Sequence, residues 1–219
     1  KMKDNLLSII KEATKEFKPK VEERTGTRLG DIRIEKYSRE NLGEFFISWA
    51  NLETKFIMLP PNKILLTEAM INRLPNTILK PDGKLRLRYY PLHELYHLAS
   101  FKIKKELDWR VYRKDTELTI ISTLAEGFAC YMGLDGSPFL YCKLTKQEIR
   151  AFKSRQLNIW EERHELDKTR HYPGYMLAKR IVNELGEEEL FRLVKTLDIS
   201  LEEIYAPGLY VERRRNEIR

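Results

Sequence analysis

From Gly83 to about residue 197 the apolar residues recur at helical spacing almost without a break, which commits the second half of the chain to packed helices. Segments near 84–107, 115–133, 145–168, 174–186 and 187–197 each read as one helix, separated by single Pro and Gly residues at turns. Residues 31–66 have another texture. Ile32 and Ile34 alternate with charges, Phe45 to Trp49 is aromatic and branched, and Lys55 to Leu59 and Lys63 to Leu66 are short apolar runs. Turn residues Gly43, Asn51, Pro60, Pro61 and Asn62 separate them, so three or four strands are expected. Before them, Leu6, Ile9, Ile10, Ala13 and Phe17 predict an amphipathic helix over 4–17. After them, Thr67, Glu68, Met70, Ile71 and Leu74 predict a short capped helix. The expectation is an α+β chain: a small, mostly antiparallel sheet over 31–66, a helical region over 84–197 and a tail over 206–219, all in one domain spanning 1–219.

Length supports a real core, since 219 residues can bury enough surface for one large domain. With 42% hydrophobic and 33% charged residues, the composition is that of a soluble globular chain. The apolar patch Leu6, Leu7, Ile9, Ile10 is too short for a secretory segment or a membrane span, so a cytoplasmic protein with no membrane partner is expected. Cys130 and Cys142 are too few for a disulfide framework and are expected as reduced thiols. The net charge of +7 permits a nucleic-acid partner, but the basic residues are spread among many glutamates as on an ordinary solvated surface. Only two Gln stand against abundant Lys, Arg and Glu, a bias shared by many heat-adapted proteins.

Within the first of the long helices lies Pro91-Leu92-His93-Glu94-Leu95-Tyr96-His97-Leu98, which contains HExxH. Two histidines at i and i+4 project from one helix face, so both imidazoles can reach one metal ion, and Glu94 is placed to take a proton from metal-bound water. Leu85, Tyr89, Leu92, Tyr96 and Phe101 give the motif an apolar flank, and Pro91 either starts this helix or kinks it. A helix whose histidines only bond within the core is the plainer alternative.

A catalytic zinc needs a third protein ligand and an open position. On the next predicted helix, Glu126 stands beside the stripe Leu118, Ile121, Ala125, Phe128 and Met132, and small Gly127 and Ala129 would let that helix approach closely. A carboxylate at such a boundary is costly unless paired or metal-bound, which makes Glu126 the candidate third ligand. Cys130, one turn on, would compete for the same position. His164, amid Glu161, Glu162, Arg163 and Glu165, reads as surface.

HELYH at 93–97, with Leu124-Ala-Glu126-Gly127-Phe128-Ala129-Cys-Tyr131 downstream and Tyr172-Pro-Gly174-Tyr175 further on, resembles the gluzincin zinc metallopeptidases. The compact minigluzincin-like members are the nearest in character. The resemblance covers roughly 55–197 and implies a zincin-like fold, a small sheet over an active-site helix, with Zn2+ held by His93, His97 and Glu126 and with Glu94 as general base. It also implies an oxyanion-steadying residue in the later segment, for which His171 and Tyr172 are the candidates, with Tyr175 beside them. Two departures stand out. The Gly-x-Met-Glu-Asn exopeptidase signature is absent, so an endopeptidase is the better expectation. Where thermolysin-like enzymes carry an aspartate that orients a ligand histidine, this chain has Cys130, which leaves that support unidentified.

The expected function is hydrolysis of a peptide or protein substrate. Two alternatives stay open: a latent or non-catalytic zinc-binding protein, and a metallopeptidase acting on a nucleic-acid-associated protein. His171 and Tyr172 are expected on a turn before Pro173 and Gly174, and they serve an ordinary loop equally well. The basic stretch Ala206 to Arg215 is expected to be partly extended, either frayed or lying along the cleft as a latency device. Substrate specificity and oligomeric state are not written in the sequence.

Overall fold

The protein is described here from a computed structural model, which covers residues 2–37, 56–59, 62–67, 79, 82–105 and 115–218. The chain forms two compact units, Lys1–Lys102 and Ile103–Arg219.

The first unit begins with helix α1, Met2–Thr25. It is longer than the 4–17 expected, because the apolar series continues through Val21, and Ile10, Ala13, Phe17 and Val21 are fully buried along one face. Strands β1 (Arg33–Tyr37), β2 (Phe56–Leu59) and β3 (Lys63–Thr67) follow. β3 is the middle strand: β1 runs parallel to it, with Arg33 opposite Lys63, and β2 antiparallel, with Phe56 opposite Leu66. Ile64 and Leu66 are buried on β3, as its period-two pattern demands. Helix α2, Gly83–Ile103, closes this unit. It runs through Pro91, whose ring nitrogen cannot donate to the Leu87 carbonyl, so Pro91 neither starts nor ends the helix. From Pro91 to Tyr96 every residue of α2 is buried, so this stretch of the helix is covered on all sides rather than along one stripe. Glu16 of α1 accepts two hydrogen bonds from Arg88 of α2, both 2.8 Å, and the same guanidinium lies 4.8 Å from the Phe17 ring centre.

The second unit is helical throughout its described length: α3 (Asp115–Leu134), a 3-10 turn (Pro138–Tyr141), α4 (Lys146–Asp167), α5 (His171–Leu185), α6 (Glu187–Thr196), α7 (Leu201–Tyr205) and α8 (Pro207–Ile218). Its punctuation is legible. Thr145 and Glu148 form a reciprocal capping box that starts α4, Ser200 and Glu203 do the same for α7, and Lys168 and Leu197 end α4 and α6 in the left-handed conformation. After α3, Ser137 donates to the Met132 carbonyl at 2.7 Å and Tyr141 to the Leu134 carbonyl at 2.7 Å, satisfying the helix's last acceptors.

Two expectations are corrected. Helices dominate the described residues and the strands are runs of only five, four and five residues, so this is a helical fold and not an α+β fold. Among the described residues the sheet joins one parallel and one antiparallel pair, so this part of it is not mostly antiparallel. The alternation at Ile32 and Ile34 and the short apolar runs ending at Leu59 and Leu66 fall on strands β1, β2 and β3, but among the described residues these are outweighed by helices on both sides. The tail is the second correction. Residues 207–218 form helix α8, because Tyr210, Arg213 and Arg214 face Glu189 and Glu203 rather than solvent. The strand expected over Phe45 to Trp49 and the short helix after Thr67 lie outside the described residues.

Candidate metal centre

In the first unit, α2 brings His93 and His97 together through its pitch alone. Their Nε2 atoms are 3.0 Å apart and the rings meet edge to face. Two nitrogens bound ~2.0–2.1 Å from a tetrahedral zinc stand about 3.3 Å from each other, so the pair is within a few tenths of an ångström of a shared-ion geometry. The same distance would serve a hydrogen bond between two neutral rings. Glu94 is 7% exposed and His93 8%, so the motif sits in a covered part of the helix where a carboxylate is costly without compensation.

The hydroxyl of Tyr89, one turn before His93, lies 3.4 Å from His93 Nδ1. If Nδ1 carries the ring proton and gives it to that oxygen, Nε2 is left as the bare nitrogen that a metal takes. Sequence reasoning had left the orienting group unidentified once Cys130 replaced the expected aspartate. The signal was present in the spacing Tyr89, His93, His97, three polar ring groups at successive intervals of four.

In the second unit, Glu126 of α3 and His171 of α5 meet although 44 residues separate them in sequence, with Oε2 and Nε2 at 3.2 Å. Their meeting depends on Gly127 and Gly174. A Cβ on Gly127 would stand 2.3 Å from the Gly174 carbonyl oxygen, and one on Gly174 would stand 2.4 Å from the Thr123 oxygen. These distances are impossible for real atoms against backbone, so α3 and α5 touch main chain to main chain where their ligand-type side chains are carried. Trp160 of α4 stacks on His171 with ring centres 6.4 Å apart and the planes 25° from parallel, which holds the imidazole from the other side.

His171 and Tyr172 occupy the first turn of α5 and not a loop. They diverge there. Tyr172 turns to α4, stacking on His164 at 6.4 Å and bonding Glu161, and burial together with that carboxylate pushes its phenol above the usual value. Tyr175 is buried and donates to Asp135 at 2.6 Å; burial first, then this bond, pushes its phenol far up. His164 has a structural task, with Nδ1 2.7 Å from the Thr169 carbonyl beyond the end of α4. Cys130 is buried, Cys142 is exposed, and both are thiols.

By donor type, His93, Glu126 and His171 make a histidine–carboxylate–histidine group that can hold a metal ion. His97 adds a further imidazole beside His93. A residue not singled out from the sequence also belongs to this region: Arg170, immediately before α5, donates to the Ser122 and Thr119 hydroxyls of α3. No sequence signal distinguished it from the other arginines, because its place follows from the contact between α3 and α5.

Among the described residues, no helix is long and apolar enough to cross a membrane. No family model, curated protein or solved structure matches this chain.

Proposed function

We propose that this chain is a zinc-dependent peptidase in which His93, His97 and Glu126 hold the ion, in the manner of a gluzincin ligand set, and Glu94 is the general base. The observation that carries the reading is the convergence of the two Nε2 atoms, 3.0 Å apart, on a helix that also buries a glutamate between them. A core histidine pair has no need of that glutamate, whereas peptide hydrolysis does.

When bound, zinc polarises the substrate carbonyl and makes the attacking water more acidic. Glu94 accepts a proton from that water on a carboxylate oxygen as the new C–O bond forms. It then returns the proton to the departing amine nitrogen as the C–N bond breaks, so the carboxylate is regenerated. The imidazole of His171 offers an N–H to the carbonyl oxygen as charge gathers there, a contribution worth roughly 3 kcal/mol for one well-aimed donor. Tyr89 keeps His93 in the tautomer that leaves Nε2 free of a proton. Peptides or proteins are the substrate class, and the cytoplasm suits a chain that carries its cysteines as thiols.

The 3.2 Å contact between His171 and Glu126 favours a second reading, a latent zinc protein. A structural zinc site is closed by four protein ligands, and His171 would be the fourth after His93, His97 and Glu126.

One experiment separates them: zinc content by mass spectrometry and cleavage of a mixed peptide pool for wild type, Glu94→Gln and His171→Ala. The peptidase reading expects about one zinc in all three, with cleavage in wild type alone or greatly reduced in His171→Ala. Loss of zinc from His171→Ala, without cleavage in wild type, would overturn it in favour of the closed site.

A further inference from the structure

We propose that the groove between α1 and β1 docks an extended acidic peptide segment with carboxylates at alternate positions. The docking site stands on the geometry of the first unit alone; taking the docked segment to be part of a substrate rests on the peptidase reading.

Lys11, Thr14, Lys15 and Lys18 of α1 line one wall of this groove, which has a volume of about 530 Å3, and residues 31–35 line the other. The cations Lys11, Lys15, Lys18 and Arg33 outnumber the carboxylates Asp31 and Glu35 there. Lys11, Lys15 and Arg33 are exposed, and among the described residues none of the three forms an ion pair. The glutamates of α1 that could have compensated the lysines are engaged elsewhere. Glu12 accepts from Ser8 and Glu16 from Arg88, each at 2.8 Å, and Glu22 accepts from the Leu29 amide at 2.7 Å, with Lys18 no nearer to it than 3.9 Å. Lys11 and Lys15 stand four residues apart and Lys15 and Lys18 three apart, spacings at which like charges on one helix face repel. Such a strip works against folding and draws an anion.

Spacing then selects the anion. Lys11 and Lys15 are ~6 Å apart along the helix axis, and alternate residues of an extended peptide are ~6.7 Å apart with their side chains on one side. A peptide laid along the groove can therefore offer one carboxylate to each lysine, while the residue between them points the opposite way. The other wall supplies Ile32 and Ile34, both half-buried and themselves two residues apart, so an acid, apolar, acid order suits both walls. A nucleic-acid strand suits them less well: it carries a charge at every nucleotide and would bring phosphates towards Asp31 and Glu35, where the peptide places apolar side chains.

The test is fluorescence anisotropy with the full chain after zinc reconstitution, carrying Glu94→Gln so that no probe is cleaved. The probes are fluorescein-labelled Glu-Val-Glu-Val-Glu, its counterpart Gln-Val-Gln-Val-Gln, the reordered Glu-Glu-Glu-Val-Val and a thymidine hexanucleotide. The alternating Glu peptide is expected to bind about tenfold more tightly than the Gln peptide, as two exposed ion pairs allow, and more tightly than the reordered peptide or the oligonucleotide. Added salt should weaken it. Lys11→Gln with Lys15→Gln should lose the preference, whereas Lys143→Gln with Lys146→Gln, an equal loss of exposed charge in the second unit, should keep it. The thermal midpoint of the first pair should equal or exceed that of the parent, because a repulsion is relieved; a lower midpoint would mean that the lysines serve folding, and would overturn the proposal. So would no binding, equal binding of the Glu and Gln peptides or of the two Glu peptides, tighter binding of the oligonucleotide, equal loss in both pairs of variants, or a preference that survives in the first pair; the last would mean that the acid sits on the metal instead. Because binding is read without turnover, groove binding by a chain whose wild type cleaves nothing would leave this site standing and remove the peptidase reading, and cleavage without groove binding would do the reverse.

Discussion

The two units reach a similar result by opposite means. In the first, His93 and His97 meet because they are four residues apart on α2, and the pitch of any helix would bring their rings together. In the second, Glu126 and His171 come from different helices, and only the side-chain-free contact of Gly127 with Gly174 allows them to meet. A local pair survives anything that leaves its helix intact. A distant pair is as fragile as the packing that makes it.

That contrast can be broken most severely at Gly174. Gly174→Ala would drive a methyl into the Thr123 carbonyl, and the helices must part; a loss of about 3 kcal/mol is expected, at the upper end of overpacking costs. Urea unfolding should show it, while the α2 pair is left as it was. An unchanged midpoint would mean that the helices part easily and that the contact does not set the Glu126–His171 distance. Next in size is Glu94→Gln, in which hydrolysis should fall by roughly 10²–10⁴-fold with zinc retained. A variant that still turned over at the wild-type rate would remove Glu94 from the mechanism.

Tyr89→Phe sharpens the comparison from the other side, since it removes only the oxygen beside His93 Nδ1. Metal affinity in a competition titration should drop about tenfold, the low end for loss of an orienting partner. No change would mean that the Tyr89 hydroxyl has no part in choosing the tautomer.

The smallest effect concerns α8, which is part of the second unit's packing. Burial acts to raise the Glu189 carboxyl, but hydrogen bonds from Arg214, Tyr210 and Arg192 outweigh it and hold the group at about 2. A carboxyl depressed in the folded state contributes stability that is fully present above its unfolded value, near 4.5, and is lost as pH falls from there towards 2. Denaturant midpoints of wild type should therefore fall over that window, and Glu189→Gln should show a shallower fall. Parallel curves would mean that this ionic cluster does not couple folding to protons.

Legibility in the sequence follows the same division. Helix positions between 84 and 197 were largely readable because each carries its own period and its own punctuation, and α4 (Lys146–Asp167) differs by one residue at either end from the expected 145–168. HExxH was readable for the same local reason. Glu126 was legible as a carboxylate beside small residues, but its meeting with His171 was not, because no spacing in one sequence reports a contact between two helices. His171 was assigned to a loop since Pro173 and Gly174 resemble a turn; in the structure Pro173 lies in the first turn of α5, where its missing N–H costs nothing, and Gly174 is kept small by Gly127. The tail was misread because a basic, charged segment looks solvated until its acidic partners, Glu189 and Glu203, are known to face it.

The most direct test of the central claim is zinc stoichiometry by native mass spectrometry on wild type, His97→Ala and Glu126→Ala after identical reconstitution. One ion per wild-type chain, with occupancy lost in both variants, is the predicted result, because the local pair and the distant glutamate then serve one metal. Zinc absent from wild type, or full occupancy in His97→Ala, would contradict it.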